Sequence, residues 1–124
     1  MKDNRLFAKT HEWVEFLDKT RARLGISDYA QSELGDLVFI NLPEVGDEVT
    51  MGETFADVES VKAVSNIYSP VTGVVKAVNE DLLDQPELVN NSAYEAWFIE
   101  VEEISEKDEL LTEEEYKSHI SEEE

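Results

Sequence analysis

Apolar and polar residues alternate through Phe55-Ala56-Asp57-Val58-Glu59 and again through Val64-Ser65-Asn66-Ile67-Tyr68. Alternation with period two marks half-buried strands. Two such runs separated by the four residues Ser60 to Ala63 predict a β-hairpin. Its tip must project, because its backbone groups need water or local partners. A second hairpin is predicted from residues 12 to 17 and 21 to 26, turning around Asp18-Lys19-Thr20. Leu37 to Leu42 reads as a strand closed by Pro43, and Trp97 to Val101 as a final apolar strand.

Helical signals are few and short. Ser27 can N-cap a helix that ends near Gly35, since a serine oxygen accepts an early helical amide and glycine tolerates a left-handed exit. Asn79-Glu80-Asp81-Leu82 and Pro86-Glu87-Leu88-Val89-Asn90 read as helical turns. Near the C-terminus, Thr112-Glu113-Glu114-Glu115 has the form of a capping box with acids in the first turn. Tyr116 and Ile120, four apart, would dock that helix on the core.

The chain is therefore predicted to be mostly β, a single domain over residues 1–124. Its core spans about 6–104, a C-terminal helix about 112–121, and a frayed acidic tail 122–124. The pattern Pro-x-x-Gly occurs at Pro43 to Gly46 and at Pro70 to Gly73. Read as two turns, it suggests a weak internal repeat and two similar sheet halves packed face to face.

Composition narrows the chemistry. A length of 124 residues suits one small core without a deep catalytic cleft of its own. The formal charge of −20 argues against nucleic acid and anionic membranes, which need a basic footprint. No cysteine is present, so disulfides, cysteine-held iron–sulfur clusters and thiolate nucleophiles are excluded and redox chemistry must be imported. The two histidines, His11 and His119, lack companions at metal-ligand spacing. No apolar run could span a bilayer and no leader pattern is visible. The expected setting is the bacterial cytoplasm, or the mitochondrial matrix for a processed eukaryotic form. No nucleophile–base pair or phosphate loop supports an enzyme.

Lys62 sits at the predicted hairpin tip, where a lysine is by itself an ordinary solvated residue. Glu59-Ser60-Val61-Lys62-Ala63, followed by Ser69-Pro70-Val71-Thr72-Gly73, resembles the lipoyl-lysine segment of the glycine cleavage H-protein family. Further collinear segments resemble the same family: Thr10-His11-Glu12-Trp13-Val14, Leu24 to Gln31, Leu34 to Phe39, Leu42 to Val49 and Pro86 to Asn90. Together they cover nearly the whole chain.

The resemblance implies a flattened β-barrel or sandwich of the biotinyl and lipoyl carrier type, with short helices and a C-terminal helix. It implies a monomeric, non-catalytic carrier whose lipoate is amide-linked to Lys62. The arm would accept an aminomethyl group at the pyridoxal-phosphate glycine decarboxylase (P protein) and deliver it to the aminomethyltransferase (T protein). Dihydrolipoamide dehydrogenase (L protein) would then reoxidise it. Lipoate-attaching enzymes would be further partners, recognising Glu59 and Gly73. From the residues alone, Gly73 reads as the pivot of a tight turn and Glu59 as an exposed partner of Lys62. The family is also thought to shelter the loaded arm in a surface cleft. Here Glu12 would hold the arm's protonated amine by a charge-assisted bond, with Thr10 and Asn66 beside it.

The chain departs from the family pattern at Asn66, where many relatives have aspartate, and at Glu33, where some have histidine. The stretch Asn91 to Ala96 is short and lacks glycine. Val61 replaces the aspartate typical of 2-oxoacid dehydrogenase lipoyl domains, and Val61 and Ala63 replace the methionines that flank a biotinyl lysine. Two alternatives stay open: an H-like lipoate relay outside glycine cleavage, and an unmodified acidic interaction module.

Overall fold

The computed structural model describes residues 5–123. In chain order its elements are β1 (Arg5–Phe7), β2 (Glu12–Phe16), β3 (Ala22–Ile26), α1 (Asp28–Leu34), β4 (Leu37–Asn41), β5 (Glu48–Val49), β6 (Thr54–Ser60), β7 (Val64–Tyr68), β8 (Val71–Val78), α2 (Asp81–Asp84), α3 (Glu87–Asn91), β9 (Ile99–Lys107) and α4 (Glu113–Glu123). One sheet has six strands in the order β1-β2-β3-β9-β8-β5; the other has three, β4-β6-β7. Every pairing is antiparallel.

The inward-facing residues of both sheets meet in one core. Leu24, Ile26, Val75, Ile99 and Val101 come from the larger sheet, and Ile40, Val58 and Ile67 from the smaller. Each fully buried aliphatic side chain of this kind contributes about 1.5–3 kcal/mol. Neighbouring strand residues point to opposite faces, so Val14 enters this core while Trp13 lies on the other face with Phe7 and Tyr116. Gly25 stands opposite Trp13 in the register, and a Cβ there would come within 2.6 Å of the indole. A side chain on β3 at that point would expel the tryptophan.

Both hairpins and α1 agree with the pattern in the sequence. The Ser27 hydroxyl accepts from the Ala30 amide at 3.1 Å, and Gly35 leaves α1 at φ +87°. The capping box is reciprocal: Thr112 Oγ1 accepts from the Glu115 amide at 3.3 Å, and Glu115 Oε1 from the Thr112 amide at 3.0 Å.

Four expectations change. The second Pro-x-x-Gly is not a turn, because Val71, Thr72 and Gly73 already belong to β8, whereas Gly46 does sit in a turn at φ +95°. With sheets of six and three strands the halves are unequal, while the flattened sandwich itself, without barrel closure, is the expected fold. β9 runs six residues past Val101 to Lys107. Its acidic outer half stays in the ladder because β8 pairs with it as far as Val71↔Lys107. Helix α4 continues beyond residue 121, so the backbone at 122 and 123 is helical rather than a frayed tail, and Glu124 lies outside the described residues. Strands β1 and β5, of three and two residues, are too short to leave a periodic signal. No helix among the described residues is long and apolar enough to cross a membrane.

Candidate functional site

Strands β6 and β7 pair from Thr54↔Tyr68 to Glu59↔Val64, leaving Val61, Lys62 and Ala63 as the turn. Ser60, buried at the end of β6, organises it. Its hydroxyl oxygen accepts from the amides of Lys62 at 3.2 Å and Ala63 at 3.0 Å, and the Ser60 amide donates to the Ala63 carbonyl at 2.8 Å. Lys62 is exposed on this fixed turn.

The turn leans on the exit of α1. The Val61 amide donates to the Asp36 carbonyl at 3.0 Å. A Cβ on Gly35 would lie 3.5 Å from Lys62 Cε, so the lysine stem passes over that glycine. Asn90 of α3 fixes the same corner from behind. Its Oδ1 accepts from the Leu37 amide at 2.9 Å, and its Nδ2 donates to Gln31 Oε1 at 2.8 Å and to the Gly35 carbonyl at 3.0 Å.

Beside the turn lies a cleft of about 290 Å³ between β7, α1 and the start of β2. Thr10, Glu12, Glu33, Ser65 and Asn66 all line it, so the structure brings the three cleft residues picked from the sequence to one place. Glu12 points to the same face of β2 as Val14 and is 2 % exposed. Thr10 Oγ1 donates to its Oε1, and the Tyr68 amide donates to its Oε2 at 3.2 Å. Burial outweighs these donors and pushes the Glu12 carboxyl up to about 7. The charged form of a carboxyl so buried is favoured by a cation within hydrogen-bond distance, which offsets its lost solvation.

The two remaining residues behave differently. Glu59 is exposed on the outer face of β6, between Phe39 and Val64 in the register. Glu59 and Lys62 form no ion pair with each other among the described residues. Gly73 is buried inside β8, in the other sheet from Lys62. A Cβ there would meet Val101 Cγ1 at 2.5 Å and the Glu102 carbonyl at 2.7 Å. Glycine is required at 73 by the close approach of β9, not by a turn.

Reasoning from sequence did not reach Ser60, Asn90 or His11. Ser60 and Asn90 stand inside segments already singled out, and a small polar residue beside a projecting lysine is the one signal that marks Ser60. His11 lines the cleft with Tyr29, their rings 5.0 Å apart.

The geometry has counterparts in known proteins. A model of the family described as glycine cleavage H-protein matches residues 5–123. The glycine cleavage system H protein of Lachnoclostridium phytofermentans is 57% identical over 121 residues, covering 98% of this chain and 95% of that protein. The one from Halalkalibacterium halodurans is 55% identical over 120 residues, covering 94% and 93%. A crystal structure of a glycine cleavage system H protein from Mycobacterium marinum superposes with a TM-score of 0.90 at 35% identity, over 98% of this chain and 99% of that one.

Proposed function

The chain belongs to the glycine cleavage H-protein family, the non-catalytic lipoyl carriers of the glycine cleavage system, and we propose that Lys62 is the lysine that carries the lipoyl group. The family works with the P, T and L proteins of that system. Lys62 would hold the lipoate through an amide, and the bound group would supply a disulfide at the end of a long arm, the chemistry needed to accept and release an aminomethyl cargo among those proteins.

The residues fit this group. The observation that carries the assignment is the Ser60-anchored turn, which holds Lys62 out beside a cleft containing a buried carboxyl. A stiff turn fixes where the arm begins, and tethering raises the concentration of its far end around the carrier. In this reading Thr10, Glu12 and Asn66 receive the loaded arm. Glu12 ionises to pair the protonated amine, Thr10 orients the carboxyl, and the apolar wall of Ile26, Leu34 and Ile67 excludes water from the cargo. Asn66 in place of aspartate leaves Glu12 and Glu33 as the carboxyls lining the cleft.

The same reading adds a lipoate-attaching enzyme as a partner that approaches the exposed turn past Glu59. The bacterial relatives support a cytoplasmic setting. Relatives with glycine cleavage in their names favour that route over a lipoate relay. Mass analysis of the Lys62 peptide, from chain made in lipoate-replete cells, tests the attachment. A lipoyl increment on Lys62 that disappears in Lys62→Arg is expected; an unmodified peptide overturns the assignment.

A further inference from the structure

Helix α4 does not line the cleft, yet it grips the turn that carries three of the cleft's residues, Thr10, His11 and Glu12. The Tyr116 hydroxyl lies 2.8 Å from His11 Nδ1 and 2.6 Å from Ser27 Oγ. His119 Nε2 is 3.2 Å from the Lys9 carbonyl. Just before the helix, Phe7 and Leu111 exchange backbone bonds of 2.8 and 2.7 Å.

The segment so held is unusual. His11, between Thr10 and Glu12, has φ +83°, a left-handed conformation that costs a non-glycine residue about 1–2 kcal/mol and persists only where its surroundings over-determine it. Its carbonyl accepts from the Ser27 amide at 2.9 Å, and its amide donates to the Ala8 carbonyl at 2.9 Å. Ser27 is also the cap of α1, the helix that forms the opposite wall of the cleft. One buried hydroxyl therefore joins both walls.

Docking of α4 does not account for that hydroxyl. The Tyr116 ring is stacked on Phe7 with centroids 4.5 Å apart and planes 5° from parallel, and a phenylalanine would stack equally well. Burying a phenol oxygen with two partners is the means by which a polar link is made rigid.

We propose that Tyr116 is a positioning residue for the arm cleft: through His11 and Ser27, α4 sets the separation of the Thr10–Glu12 edge from α1. The inference rests on the reading of the cleft given above. It assigns α4 to the carrier's own function, although the helix lies outside the cavity.

The test compares wild type with Tyr116→Phe, which keeps the stacking, and with His11→Asn, which breaks the link from its other end while tolerating the left-handed backbone. Glu12→Gln is the control for the cleft. Two readouts are taken. The first is titration of the Glu12 carboxyl in the unlipoylated chain by carbon-13 NMR, and the second is the lifetime of the aminomethyl-loaded arm in the lipoylated chain. Loss of one hydrogen bond predicts a shift of about half a pH unit in the titration and an arm lifetime about threefold to tenfold shorter. Helix content and thermal midpoint establish that the variants are folded. If Tyr116→Phe and His11→Asn leave both readouts unchanged while Glu12→Gln shortens the lifetime, the positioning role is overturned and the cleft reading stands. If Glu12→Gln itself leaves the lifetime unchanged, the cleft reading is overturned and this inference with it.

Discussion

The Lys62 amide donates to the hydroxyl of Ser60 at 3.2 Å, so the exposed lysine is fixed by a buried side chain two residues before it. That hydroxyl also serves Ala63, which makes it the organising group of the turn. Ser60→Ala is expected to lower stability by about 1–2 kcal/mol and to slow lipoyl attachment at Lys62 several-fold relative to wild type. Urea denaturation and a time course of attachment by intact mass measure the two effects. Attachment at the wild-type rate in a destabilised variant would show that turn rigidity is not what the modifying enzyme reads.

Glu12 gives a pH-dependent prediction with a definite sign. Its folded pKa of about 7 lies above its ordinary value of 4.5 because of burial, so the native state holds the proton more tightly than the unfolded chain. The associated stability is fully present below 4.5 and is lost as pH rises through about 7, by an amount on the order of 3 kcal/mol. Glu12→Gln does not titrate. Its unfolding free energy should therefore gain on wild type by that amount between pH 4.5 and 7.5. A difference that stays flat across this window would place the Glu12 carboxyl in the ordinary range.

Gly73 should act through the fold. With Val101 and the Glu102 carbonyl inside contact distance of any Cβ, Gly73→Ala is expected to cost about 1–3 kcal/mol, read from the urea midpoint. The folded fraction should accept lipoate at the wild-type rate. Slow attachment to fully folded Gly73→Ala would instead favour direct recognition of this residue.

Asn90 holds three groups of the α1–β4 corner. Removing it in Asn90→Ala leaves the Leu37 amide and the Gly35 carbonyl without that partner, at about 2 kcal/mol. The variant should also loosen the turn above. Faster amide exchange at Val61, whose donor bond goes to Asp36, is the specific sign, measured by hydrogen exchange against a distant amide such as Leu24.

How much of this was legible in the sequence depends on the range of the interactions. The hairpin around Lys62 and the capped ends of α1 and α4 are written in residues a few positions apart, and local pattern finds them. The outer half of β9 is not, because Glu102, Glu103 and Glu106 carry no alternation and only the neighbouring β8 makes them a strand. Gly73 looked like a turn for the same reason: Pro70 and Gly73 punctuate locally, while the contact that demands glycine comes from Val101. The site follows this division. Lys62 was visible as a tip residue, but the bonds of Tyr68 to Glu12 and of Tyr116 to His11 span 56 and 105 positions, and no window along the chain contains them.

The cleft and the lysine share a hairpin, and this has a metric consequence. Asn66 follows Lys62 by four positions, a distance no extended chain can stretch beyond about 14 Å, and the Ser60-anchored turn with the paired backbone of β7 keeps it from contracting. An arm rooted at the turn and received beside Asn66 is thereby measured against a fixed ruler. On the proposed reading, a prosthetic group shorter than this span, mounted on the same lysine, would fall short of the cleft.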